Sequence, residues 1–111
     1  PHYPPVPPSH ITATPGNGQV TLNWLNSGDS DTGGYRVYYG TASGQYFGMD
    51  AVQGESPVDA GMATSITLEG LENGILYYFA VTTYDKNYRE SESEFSQEVT
   101  ARPLPLYGSD E

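Results

Sequence analysis

With 111 residues, the chain is long enough for one domain that buries a single core without a metal or a crosslink to hold it. Fourteen acidic residues against four basic ones give a net charge of −10, and Arg36, Lys86, Arg89 and Arg102 do not cluster, which weighs against nucleic acid or any other polyphosphate as a partner. Cysteine is absent, which excludes thiol catalysis and cysteine-ligated metals, and ten tyrosines, thirteen glycines and nine prolines suit short strands joined by tight turns.

Residues 1–9, PHYPPVPPS, carry five prolines and read as a stiff, extended linker. The same residues could serve as a proline-rich ligand for an aromatic groove. A first strand, β1, is predicted over residues 10–14, with Ile11 and Ala13 on one face, and Pro15-Gly16-Asn17-Gly18 reverses the chain. The cleanest alternation belongs to β2, residues 19–26, with Val20, Leu22 and Trp24 inward. In the loop 27–34, Asp29 and Asp31 alternate as calcium ligands do, but the later glycine and the bidentate glutamate of a calcium loop are missing, and plain exposure accounts for the same composition.

For β3, residues 35–40, the period of two puts Tyr35, Val37 and Tyr39 on one face and Arg36 and Tyr38 on the other. A short β4 is expected over residues 46–52, then an exposed loop broken by Gly54, Ser56 and Pro57, with Phe47 and Met49 open to solvent. Next come β5, residues 63–69, a Gly-Leu-Glu-Asn-Gly link around Leu71, and β6, residues 76–84, whose Tyr77, Phe79 and Val81 point inward. The polar run 85–94 reads as a loop with solvated glutamates at 90, 92 and 94, and β7, residues 95–101, sets Phe95, Gln97, Val99 and Ala101 in one phase. The chain thus divides into a linker, 1–9, a domain, 10–102, and a tail, 103–111, in which proline removes strand donors.

About seven short strands at regular spacing favour an all-β antiparallel sandwich over a parallel α/β sheet. Four stretches carry a closer likeness: Trp24 in β2, Tyr35-Arg-Val-Tyr-Tyr-Gly-Thr-Ala-Ser-Gly44, the spacing from Leu71 to Tyr77, and the Tyr84-Asp85 and Glu90-Ser91 pairs. They resemble a fibronectin type III domain of the bacterial type. The resemblance implies a seven-stranded, immunoglobulin-like sandwich with sheets A-B-E and C-C′-F-G, here β1, β2 and β5 in one and β3, β4, β6 and β7 in the other. It also implies a core centred on Trp24 with Tyr35, Val37, Leu71, Tyr77, Phe79 and Val81, and a corner in which Tyr77 hydrogen-bonds back toward Leu71. An odd number of crossings would leave the two ends at opposite poles, as suits modules threaded end to end.

No catalytic constellation emerges. His2 and His10 lie at the start of the chain, no Gly-x-Ser-x-Gly is present, and two histidines without a third ligand make a poor zinc site, so neither enzyme activity nor a cofactor is expected. The strand phase points Arg36, Tyr38, Tyr78 and Tyr84 outward together, an aromatic strip that could stack on sugar rings or anchor a protein. Alternatively, Tyr38 and Tyr78 are a cross-strand pair worth roughly 0.2–1 kcal/mol to the sheet. Two functions stay open: a noncatalytic spacer of a larger secreted or cell-surface protein, contacting neighbouring domains or other surface proteins, or a module that binds carbohydrate or protein through that face. No apolar stretch is long enough to cross a membrane and no lipidation signal is visible, so membrane insertion is not expected. The resemblance places the domain outside the cell or on its surface, and the start at Pro1 suggests a mature product or an excised piece.

Overall fold

A computed structural model describes residues 5–26, 28, 31–88 and 91–105, and among them there is no helix. Seven strands follow in chain order: β1 Ser9–Gly16, β2 Gln19–Leu25, β3 Thr32–Gly40, β4 Val58–Gly61, β5 Ser65–Glu69, β6 Tyr77–Asp85 and β7 Val99–Ala101. Every pairing is antiparallel, and the strands form a three-stranded sheet, β1-β2-β5, and a four-stranded sheet, β4-β3-β6-β7.

The period-two faces of β2, β3 and β6 meet between the sheets. Val20, Leu22 and Trp24 on one side and Tyr35, Val37, Tyr39, Tyr77, Phe79 and Val81 on the other are buried together with Leu68, Leu71 and Ala101. Trp24 lies edge-on to Tyr35, with ring centroids 5.6 Å apart. Such an arrangement adds about 0.5–1.5 kcal/mol to what area burial alone supplies. At the corner before β6, the Tyr77 hydroxyl accepts the Glu72 N–H at 2.9 Å and donates to the Asp50 carboxylate at 3.1 Å.

Several boundaries differ by one or two residues from those expected, β1 running on to Gly16, and three elements differ by more. Strand β3 starts at Thr32, because Gly33 and Gly34 are strand residues: a Cβ on Gly34 would lie 2.4 Å from the Tyr84 hydroxyl, and one on Gly33 would lie 2.5 Å from the Lys86 Cα. Only glycine lets the two strands approach there. Residues 46–52 form no strand, since the Gly48 and Ala51 amides bond to the Tyr39 carbonyl and hydroxyl instead of to a neighbouring ladder, and β4 lies at Val58–Gly61 against Tyr35, Arg36 and Val37. Finally, β7 keeps only its last three residues.

The chain enters at one pole and leaves at the other. Ser9 pairs with Leu25 at the far end of β2, while Gly16 pairs with Gln19 at the turn. Past β7, Pro103 is buried, its carbonyl accepts the Gly74 N–H at 2.8 Å, and the next amide, Leu104, donates to the Gly16 carbonyl at 3.1 Å. At the entry, Pro5 and Pro8 are also buried.

Candidate functional site

Arg36, Tyr38, Tyr78 and Tyr84 do share the outer face of the four-stranded sheet, where register sets Tyr38 opposite Ala80 and Tyr78 opposite Gly40. That face is covered, however, and the expectation of an exposed strip needs correcting. Tyr84 is 4% exposed and Thr82 2%, whereas Arg36, Tyr38 and Tyr78 are half-buried. The cover is the segment between β6 and β7, read from sequence as a solvated loop followed by a regular strand.

In residues 92–98, ESEFSQE, the contacts repeat every three residues, the period of an extended polyproline-type segment rather than the two of a strand. Glu92 and Phe95 reach over the sheet. Ser93 and Ser96 turn to its edge, where their hydroxyls accept the Thr83 and Val81 amides and their own amides donate to the Thr83 and Val81 carbonyls, all at 2.8–2.9 Å. Phe95 therefore leaves the core phase assigned to it, is half exposed, and stands edge-on to Tyr38 and Tyr46 at 4.9 and 5.1 Å.

Glu92 is the polar centre of this layer. Its carboxylate accepts from Arg36 Nη1 at 3.1 Å, from Thr82 Oγ1 at 2.6 Å, and from the Tyr38 hydroxyl. Burial, and next the bond to the Glu92 carboxylate, push the Tyr38 hydroxyl up from 10.0 to about 12, with Arg36 opposing. The Arg36 guanidinium lies 4.4 Å above the Tyr84 ring, and the Tyr84 hydroxyl donates to Asp59 Oδ1 at 2.9 Å. Further along, Glu98 accepts from Ser43 Oγ at 2.7 Å and from the Gly44 amide at 3.0 Å, and it also bonds the Tyr46 hydroxyl. These hydrogen bonds, chiefly those from Tyr46 and Ser43, hold the Glu98 carboxyl below its usual range, while burial foremost holds the Tyr46 hydroxyl above its own. Among the described residues, the outer layer is closed by its own side chains.

Of the two weak metal candidates, Asp29 lies outside the described residues, and Asp31 gives its backbone carbonyl to the Lys86 amide. No group of three or more His, Asp or Glu side chains among the described residues could hold a metal ion. His2 also falls outside them, and His10 is exposed at an irregularity in β1.

A second surface lies at the pole where the chain leaves. Phe47, Met49 and Val52 are 79%, 68% and 72% exposed on the connection between β3 and β4. A groove of about 280 Å3 runs beside Phe47 and Met49, and Asp50 and Tyr77 also line it. The exposure of Phe47 and Met49 was legible from their place in a Gly- and Pro-broken segment. The roles of Glu92, Phe95, Tyr46 and Asp59 were not, although the Ser-x-x-Ser spacing of 93 and 96 was a usable sign.

A family model described as "Fibronectin type III domain" matches residues 6–99. A Kelch domain-containing protein of Saccharolobus solfataricus is 34% identical over 88 residues, which cover 76% of this chain and 10% of that protein. An amylopullulanase of Thermoanaerobacterium saccharolyticum is 34% identical over 101 residues, covering 89% of this chain and 7% of the enzyme. The chain thus spans a tenth or less of the length of these two relatives. Among solved structures, a β-1,2-glucanase from Parabacteroides distasonis superposes with a TM-score of 0.69 at 22% identity, over 96% of this chain and 14% of the enzyme.

Proposed function

Because the chain belongs to the fibronectin type III family, we propose that it works as a noncatalytic structural module of a longer extracellular or cell-surface protein, holding neighbouring parts at a fixed separation. One observation carries this reading: the chain enters at one pole and leaves at the other, with its exit fastened by the Pro103 and Leu104 backbone bonds to Gly74 and Gly16. A module built in this way transmits direction as well as distance, since the exit segment cannot pivot freely about the last strand. The relatives support the context, for in two of them a domain of this size is a small part of a carbohydrate-active enzyme. In this reading the module contributes spacing and not chemistry.

The covered outer face is consistent with that assignment. Glu92 and Phe95 lie against Tyr38, so sugar would stack on it only if residues 92–98 lifted away, which would break the Glu92 and serine bonds together. The test uses the isolated chain with malto-oligosaccharides and β-glucan fragments, read by amide chemical shifts and by release of reducing ends. The expected result is no turnover and no saturable shift on β3 or β6. Hydrolysis, or a saturable shift lost in a folded Tyr38→Ala/Tyr78→Ala variant, would contradict the reading.

A further inference from the structure

The connection between β3 and β4 combines two properties that rarely occur together in an idle loop. It carries three of the most exposed large apolar side chains of the described residues within six positions, Phe47, Met49 and Val52. It is also held firmly. The Gly48 amide bonds to the Tyr39 carbonyl at 2.8 Å, the Ser56 amide to the Gly48 carbonyl at 2.9 Å, and the Val52 amide to the Glu69 carbonyl at 2.8 Å. Tyr39 adds three more bonds, its hydroxyl accepting from the Ala51 amide and donating to the Gly54 carbonyl while its amide donates to Ser56 Oγ. Gly48 packs directly on the Tyr39 ring, where a Cβ would lie 2.2 Å from a ring carbon, so the loop cannot take a bulkier residue there without moving. Apolar side chains displayed on a fixed backbone lose little freedom on binding, which is the condition under which such side chains become anchors.

The charge around them narrows the occupant. Asp50, Glu55, Glu69 and Glu72 are all exposed, and the backbone places them at the same corner. Asp50 and the Glu72 amide both bond the Tyr77 hydroxyl, Glu69 pairs with Gln53, and Glu55 adjoins the Ser56 amide that bonds Gly48. Between residues 37 and 85 the sequence has six acidic residues and no Lys, Arg or His. A second copy of this chain, itself at −10, or an anionic membrane would meet like charge at this rim.

We propose that the groove beside Phe47 and Met49 is a docking site for a protein segment that inserts a large apolar side chain flanked by Lys or Arg. The apolar side chain fills the groove lined by Thr41, Gln45, Phe47, Met49, Asp50 and Tyr77, and the basic residues face Asp50, Glu55 and Glu72. The site is independent of the spacer role, because it uses neither the outer face nor the exit bonds.

The test titrates the intact chain with short synthetic peptides that carry a central Leu, Phe or Trp. One set is flanked by Lys and Arg, a matched set by Asp and Glu, a third has Ser at the centre, and malto-oligosaccharides are run in parallel. The expected result is binding by the basic-flanked apolar set alone, weakened by added salt, lowered at least about tenfold by Phe47→Ser with Met49→Ser, and reduced by Glu55→Gln with Glu72→Gln. All four positions are exposed, and circular dichroism with melting curves confirms that the variants fold. No binding by that set, binding that the Phe47/Met49 variant retains, or preference for acidic-flanked peptides or for oligosaccharides overturns the proposal.

Discussion

Tyr77 does the most varied work of any single residue in the chain. Its ring is core, 1% exposed and tilted against Phe79, while its hydroxyl accepts from the Glu72 amide and donates to Asp50. Tyr77→Phe keeps the ring and leaves a backbone N–H of the corner without its acceptor. The expected cost is about 1–3 kcal/mol in chemical denaturation, the range for leaving one such donor unsatisfied, with no change of fold. A change too small to measure would mean that water replaces the hydroxyl freely. The core residues were legible because β2, β3 and β6 keep a strict period of two, and Trp24, Tyr35, Val37, Tyr77, Phe79 and Val81 fall in its inward phase. Tyr84 shows the limit of that logic. Phase told which way the side chain points but not that Arg36 and Asp59, far off in sequence, would close over it.

At the scale of elements, two departures from expectation have a related cause. Residues 46–52 and 95–98 were both expected to be strand, yet side chains enter where a ladder would run: the Tyr39 hydroxyl takes the Ala51 amide in the first case, and in the second the Ser96 hydroxyl, like that of Ser93 just before, takes an amide of β6. A local period cannot reveal a hydrogen-bond partner that arrives from elsewhere in the chain. The covering segment 92–98 gives a pH prediction. The Tyr38 hydroxyl, pushed from 10.0 up to about 12 by burial and by the Glu92 carboxylate, favours the protonated form in the folded chain. The sign follows: the stabilisation is full below pH 10 and is lost as pH rises through about 12. Phenolate absorbance of the wild type minus that of Tyr38→Phe should show Tyr38 ionising near 12, and Glu92→Gln should move it lower, since the adjacent carboxylate is gone while burial remains. Ionisation near the ordinary tyrosine value in the wild type would contradict the closed outer layer.

For the whole molecule, the division of the strands between two sheets and the opposite placement of the two ends followed from strand count and the family resemblance, whereas the order β4-β3-β6-β7, with β4 at the edge, did not. Nor did the fastening of the exit, because nothing in the sequence around Pro103 shows that its carbonyl and the Leu104 amide meet Gly74 and Gly16. In the proposed spacer role, that fastening fixes the direction in which the chain leaves. The most direct test is the distance distribution between its ends. The chain has no cysteine, so Val6→Cys and Leu104→Cys, both at positions about half exposed, accept one spin label each without background. Pulsed electron–electron resonance is then expected to give a single narrow distance, unchanged between low and high salt, as a rigid pole-to-pole module requires. A broad distribution, or a short distance that puts both ends at the same pole, would contradict the account.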